Sequence, residues 1–388
     1  MVYPSDTAIT IFSGLRMETK NLLLVVVITL LVAISLILAS QHQGMVSSSN
    51  PTSIYTPNST VSNSISVPSR VLNSSIPIAA PWAIVYDPVN NYIYAASENG
   101  IGSLSIISNA IIVSEIENVS ITSITCDPSN GDVYLVKYGS DNVSVISGTS
   151  VKANLNVGSG PSDIAYDASD GYMYVSNYGS NTVSVINGVN VIANIAVDAG
   201  PQGITYDQEN GYLYVADSGM DTVSVISGTK LIAKIRTSSN PYYVAYNPSN
   251  NYIYASAASG TVSIISNTKV IANITHSPSV AIAYDPNDGY MYFLNYNLNT
   301  VSVVSNASII GNITVGINPK SIAYNPSDGY MYVANYGSDT VSLIAGTSIV
   351  GAPISVGSEP TTLAYDSSNK YMYVGNYGSG TVSIISSG

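Results

Sequence analysis

The sequence predicts an all-β fold: a β-propeller of eight four-stranded blades whose N-terminal strand closes the last blade. Three observations carry that expectation. The segment SIAYNPSDGYMYVANYGSDTVSLI at residues 321–344 has close relatives through most of the chain, and aligning its first tyrosine gives Tyr86, Cys126, Tyr166, Tyr206, Tyr246, Tyr284, Tyr324 and Tyr365. Their spacings of 40, 40, 40, 40, 38, 40 and 41 residues mark a repeat architecture. Each repeat holds four short runs that read as strands, and a sheet of four must pack against its neighbours to bury its apolar faces. The chain ends are complementary: the last repeat stops after its third run, Thr381-Val-Ser-Ile-Ile385, while Val71-Leu-Asn-Ser-Ser-Ile-Pro-Ile78 precedes the first as an extra run. A ring that pairs the extra run with the last repeat uses both ends; an open solenoid does not. Pro77 lacks an amide donor, which an outer edge tolerates.

The third repeat shows the strands in order. Ile164-Ala-Tyr166 is a short apolar run ended by the turn cluster Asp167-Ala-Ser-Asp-Gly171, and Tyr172-Met-Tyr-Val175 ends in Asn177-Tyr-Gly-Ser-Asn181. Thr182-Val-Ser-Val-Ile186 closes with Asn187-Gly188, and Val191-Ile-Ala-Asn-Ile195 leads into Asp198-Ala-Gly-Pro201. β-Branched and aromatic runs bounded by Gly, Pro, Asn and Asp are antiparallel strands with tight turns. No stretch of helical length shows a 3.6-residue period.

Tyr174-Val-Ser-Asn177, Tyr332-Val-Ala-Asn335 and Tyr373-Val-Gly-Asn376 are each followed by Tyr-Gly-Ser and then Thr-Val-Ser. This pattern resembles the YVTN-type propeller repeat of archaeal and bacterial surface-layer and secreted proteins. The resemblance spans roughly residues 71–388, with drifted copies such as Tyr134-Leu-Val-Lys137 and Tyr254-Ala-Ser-Ala257. It implies a cell-surface or extracellular setting and no single activity. Many such propellers have seven blades, so eight is a departure resting on the spacings.

Residues 1–40 read as a cytoplasmic tip and a transmembrane anchor or signal segment. Residues 22–39 carry no charge, Arg16 and Lys20 precede them, and no Lys or Arg follows until Arg70, so the remainder is expected outside the membrane. The run is longer than the usual signal core and lacks a small-x-small site, which favours a retained anchor over a cleaved signal. Met17 is an alternative start. Residues 41–69, rich in Ser, Asn, Thr and Pro, read as a flexible stalk carrying the propeller at 70–388.

An exported chain makes N-glycosylation relevant. Asn58, Asn73, Asn118, Asn142, Asn273, Asn306 and Asn312 fit the acceptor pattern, although so Asn/Ser/Thr-rich a chain produces such triplets by accident. Asn73, Asn118, Asn273 and Asn312 fall in or beside expected outermost strands, where a glycan would blunt an open edge. The net charge of −12, from 11 basic and 23 acidic residues, opposes a nucleic-acid partner. The single cysteine, Cys126, stands where other repeats have tyrosine and reads as a buried apolar residue outside any disulfide. Eight repeats can bury a large core without one.

Chemistry is sparse. Segments such as Asp285-Pro-Asn-Asp-Gly289 suggest calcium, but they lack the spaced acidic ligands and final Glu of a helix-loop-helix site, and their recurrence fits turn capping better. The pairs Tyr172/Tyr174 and Tyr330/Tyr332 share one strand face and read as packing between blades rather than a carbohydrate platform. His42 lies in the stalk and His276 is the sole propeller histidine; no phosphate loop or nucleophile elbow appears, and no cofactor or metal is implied.

The least repetitive stretch lies between Tyr246 and Tyr284, where two residues are lost. Tyr242 and Tyr243 precede it, at positions where sister repeats carry Ser162-Asp163, Gln202-Gly203 and Lys320-Ser321. Tyr242, Tyr243, His276, Gln202, Asp163 and Lys320 are therefore the candidate partner-binding residues, expected near one mouth of the central channel. The same irregularity also fits drift of one blade. The expected function is non-enzymatic: an extracellular cell-surface propeller acting in binding or adhesion, or associated with a surface layer. Its expected partners are a surface protein or polysaccharide, with the membrane reached through the N-terminal helix. The alternatives are a secreted lyase-type enzyme, needing acids beside His276, and a self-assembling structural layer subunit.

Overall fold

The computed structural model describes residues 70–97, 102–119, 121–238 and 240–386. Among them, 32 strands form eight antiparallel four-stranded sheets. Seven sheets take their strands from one repeat in simple up-and-down order, as blades 1 to 7 over residues 81–117, 123–156, 161–196, 201–236, 241–275, 281–314 and 319–355. Blade 8 is made of Pro360–Asp366, Tyr371–Asn376 and Thr381–Ser386, with Arg70–Pro77 as its outermost strand. That strand runs antiparallel to Thr381–Ser386 in a register from Arg70 opposite Ser386 to Pro77 opposite Thr381, with a bulge between Leu72 and Ile76. Closure by the N-terminal strand is therefore as the chain ends predict. The innermost strands touch in one unbroken circle, blade 8 returning to blade 1.

Side chains pack between blades. Ile76 and Ile78 from the closing segment join Ile84 and Ile93 of blade 1 and Tyr373, Val382 and Ile384 of blade 8 in a single buried cluster. The next seams repeat the arrangement, for example Tyr174, Val183 and Val185 of blade 3 against Ile204, Leu213 and Val215 of blade 4. The second-strand tyrosines explain much of the repeat. Tyr94, Tyr134, Tyr174, Tyr214, Tyr254, Tyr292, Tyr332 and Tyr373 are all fully buried. Several reach into the next blade, where the Tyr94 hydroxyl donates to the Gly148 carbonyl at 2.8 Å and Tyr134 to that of Gly188 at 3.0 Å. Buried tyrosine needs such a partner for its hydroxyl, so the tyrosine pairs are packing elements, as expected.

Asn177, Asn295, Asn335 and Asn376, the last residues of the repeated tetrads, each donate Nδ2 to a serine and a threonine of the third strand, as Asn177 does to Ser184 at 2.9 Å and Thr182 at 3.1 Å. The serine passes the chain on, Ser184 Oγ donating to Asn194 Oδ1 on the outer strand at 2.6 Å. A short polar ladder thus crosses the sheet, which is why Tyr-Val-x-Asn and Thr-Val-Ser recur together. In blade 5 the lost residues tighten the second-to-third-strand turn around Gly260 (φ 84°), whose carbonyl accepts from the His276 amide at 2.7 Å.

Among the described residues no helix is long and apolar enough to cross a membrane. The expected anchor at 22–39, the stalk, His42 and Asn58 lie outside them.

Candidate functional site

The fold gives the ring two different ends. At one end lie the first-to-second-strand and third-to-fourth-strand turns. At the other, here the entry face, lie the second-to-third-strand turns and the connections that carry the chain into each new blade.

The first of these ends is occupied by self-bonding. Asp or Asn at the head of each turn accepts the backbone amide two residues on: Asp87 from Val89 at 2.8 Å, Asp167 from Ser169 at 2.8 Å, Asn325 from Ser327 at 2.9 Å. Gly171, Gly289 and Gly329 close these turns at φ 76°. Capping is the role the repetition suggested, and among the described residues no three His, Cys, Asp or Glu side chains are grouped to hold a metal ion. First-strand tyrosines also bond the preceding blade's turn, Tyr284 to Ser249 at 2.5 Å. Cys126 replaces that tyrosine; it is buried and free, and burial, then the neighbouring Asp87, pushes its thiol up, away from thiolate chemistry.

On the entry face of blades 3, 4, 7 and 8, an amide of the second-to-third-strand turn donates to the residue preceding the blade's leading proline. Tyr178 bonds the Gly160 carbonyl at 2.8 Å, Tyr336 that of Asn318 at 3.0 Å, and Tyr377 that of Glu359 at 2.9 Å. The acceptor residue takes positive φ: 62° at Gly160, 69° at Gly200, 50° at Asn318 and 54° at Glu359. Where blades 7, 8 and 1 meet, this scaffold gathers large side chains. Lys320 Nζ stands 4.5 Å from the Trp82 ring centre and 4.7 Å from that of Tyr336. Tyr377 meets Trp82 edge to face at 5.7 Å. Burial, then the carboxylate of Glu359, pushes the Tyr336 hydroxyl up to about 12. Beside them opens a shallow cleft of about 570 Å³ lined by Glu359, Tyr377, Ser379, Ala79, Ala80 and Gly378.

The structure disperses the other expected site residues. Asp163 is fully buried and ties three inner strands, accepting from Ser123 Oγ at 3.1 Å and from the Ile204 amide at 3.2 Å. Gln202, also buried, donates to Ser218 Oγ at 2.8 Å. Tyr243 is buried among Tyr254, Phe293 and their neighbours, with Tyr242 half-buried beside it at 6.5 Å. At Asp163 and Tyr243 the strand bulges just after its leading proline, between Pro161 and Asp163 and between Pro241 and Tyr243, and the side chain past the bulge is buried. Gln202, at the position of Tyr242 and Lys320, is buried as well. His276 packs edge-on against Phe293 at 5.1 Å; burial, opposed in part by the Ser277 backbone, brings it down to about 4, so it is neutral at neutral pH. Of the six, Lys320 alone joins the aromatic cluster. Trp82, Tyr336, Tyr377 and Glu359 were missed, although Trp82 aligns with Lys320 and Tyr242, and Glu359 stands where sister repeats carry Gly160 and Gly200.

The acceptor asparagines are placed as follows. Asn73 lies in the outermost strand of blade 8, Asn273 and Asn312 in the outermost strands of blades 5 and 6, and Asn118 just past that of blade 1. Asn273, Asn312 and Asn118 are exposed, as is Asn306 in a turn, whereas Asn142 is half-buried at a third-strand start.

Blade 4 departs from the ladder in three positions at once. Asp217 replaces the tetrad asparagine, Asp198 stands where Gly158 and Gly316 lie elsewhere, and Lys234 replaces the outer-strand asparagine. Thr222 Oγ1 lies 2.8 Å from Asp198 and 3.3 Å from Asp217, Ser224 donates to Asp217 at 2.7 Å, and Lys234 Nζ is 2.5 Å from Asp198. Burial, then the nearby Asp198, pushes Asp217 up to about 7 against the opposing hydroxyls. Lys234 and Thr222 overcome burial at Asp198 and hold it below its usual value.

No protein-family model matches the chain, and no curated protein does. Solved structures do. A Kuenenia stuttgartiensis hydrazine synthase chain is similar at 20% identity and TM-score 0.53, covering 68% of this chain and 94% of that one. Virginiamycin B lyase from Staphylococcus aureus is similar at 15% identity and TM-score 0.56, covering 68% and 93%. A streptogramin B lyase follows at 15% identity and TM-score 0.55, covering 68% and 91%. The likeness is one of fold.

Proposed function

We propose that this chain is a YVTN-type cell-surface propeller that works by non-covalent binding, with the entry face across blades 7, 8 and 1 as its ligand-binding face. The observation that carries the reading is the gathering of Trp82, Tyr336, Tyr377, Lys320 and Glu359 beside an open cleft on that face. Rigid aromatic side chains with a few polar groups supply contact area at low entropic cost. The apolar run at 22–39 and the following stalk support display outside the membrane on an anchor, and the acceptor asparagines on outer strands support glycosylation. The partner on this reading is a surface polysaccharide or protein.

Binding of the full-length chain to the host's surface glycans and proteins is expected to fall at least tenfold in Trp82→Ala, a truncation typical of an aromatic anchor. Unchanged binding in that variant would move the ligand off this face. Tyr243→Ala is unsuitable as a control, because it would cavitate a core cluster.

A lyase would draw on His276, whose two ring nitrogens are buried without a hydrogen-bond partner among the described residues. The layer-subunit alternative draws on one feature: Ile192, Ile232, Ile271 and Ile310 are exposed aliphatics at matching places on the outer strands. Concentration-dependent sedimentation of the full chain would separate it from the binding reading.

A further inference from the structure

Resting on the binding-face reading above, we propose that the cleft at the seam of blades 8 and 1 takes a neutral sugar residue of a polysaccharide. Its walls match the two sides of a pyranose. Tyr377, held edge-on by Trp82 at 5.7 Å, offers an aromatic surface to the ring's C–H face. Glu359 and Ser379 also line the cleft; the Glu359 carboxylate accepts from the Tyr336 hydroxyl and Ser379 Oγ bonds Thr381 Oγ1 at 2.9 Å, and each keeps acceptor capacity for sugar hydroxyls. A carboxylate accepting from hydroxyls forms the stronger, charge-assisted class of hydrogen bond. Ala79, Ala80 and Gly378 line it with little or no side chain.

Glu359 at φ 54° and Ala80 at φ 43° occupy the residue before a leading proline, where Gly160, Gly200 and Asn318 also take positive φ, so the repeat's own entry turn sets the backbone that presents Glu359 to the cleft. A Cβ at Gly378 would lie 2.9 Å from the Glu359 side chain, so a substitution there would shift that side chain.

Other ligand classes fit less well. An acidic sugar would meet Glu359 and a chain of net charge −12. A quaternary ammonium would need the place over Trp82 and Tyr336 that the Lys320 ammonium already fills.

Trp82 is the chain's single tryptophan and meets the cleft residue Tyr377 at 5.7 Å, so its fluorescence reports on a neighbour of the cleft. Neutral oligosaccharides of glucose, mannose and N-acetylglucosamine, a galacturonate oligosaccharide and choline would each be titrated into the full-length protein. A saturable change is expected with at least one neutral series. Glu359→Gln should weaken it at least fivefold, and Glu359→Gly should weaken it similarly while keeping or raising Tm, which a merely structural role would not produce. The proposal is overturned by no response to any neutral sugar up to about 10 mM, where even millimolar affinity would show, by a response to galacturonate or choline alone, or by affinity in the two variants unchanged from that of the unsubstituted protein. Surface-glycan binding that persists on the entry face alongside any of these results would keep the binding-face reading and discard this ligand.

Discussion

Removing Arg70–Pro77 is expected to open the ring. Blade 8 would keep three strands, Thr381–Ser386 would become an unpaired edge, and Ile76 would leave the cluster it shares with blades 1 and 8. Burial of one isoleucine is worth about 2 kcal/mol, and each of several lost ladder bonds about 1 kcal/mol, so the total is about 5 kcal/mol. The effect exceeds this local sum in one respect: an open ring exposes apolar faces at its new ends, and an unpaired strand recruits other chains. The expected result is a lower Tm with concentration-dependent association, both reversed by adding the peptide RVLNSSIP in trans. Unfolding identical to the intact chain would sink closure by this strand.

Asp217→Asn is expected to stabilise the protein at pH 8 and to do nothing at pH 4. Asp217 is fully buried and pushed up to about 7, whereas an unfolded aspartate titrates near about 3.9. The folded chain therefore holds this proton more tightly than the unfolded one. Stability is intact below pH 4 and is lost as pH rises from about 4 to about 7, at up to about 1.4 kcal/mol per pH unit. The whole span amounts to about 4 kcal/mol, an upper bound because the amide is buried too. The four sister blades place asparagine there with two hydroxyl partners, so the substitution restores a proven geometry. Melting curves should separate by roughly 3–8 °C at pH 8 and coincide at pH 4. Equal separation at both pH values would show that Asp217 does not titrate as described.

Most of the fold could be read from the chain. Period and turn residues lead to eight blades because each is a local pattern repeated along the chain, and the complementary ends, a single feature, lead to the closing strand. The site was harder, for a physical reason. Asp163 and Tyr243 look like mouth residues in a linear alignment, yet the bulge past each leading proline turns them inward, and Gln202 is buried although it aligns with the half-buried Lys320. Trp82 and Lys320 lie almost at opposite ends of the chain and meet only because the ring closes. Glu359 was visible as a departure from Gly160 and Gly200, but its meaning depends on the left-handed backbone it occupies and on Tyr377 beside it.

Hydrogen exchange of the full-length protein, with and without the host's surface polysaccharide, tests the central claim most directly. The account predicts slowed exchange in the entry-face segments around residues 79–82, 336–338, 358–359 and 377–380, with the turns of the opposite face unchanged. Protection confined to the outer strands, or to the opposite face, would contradict it.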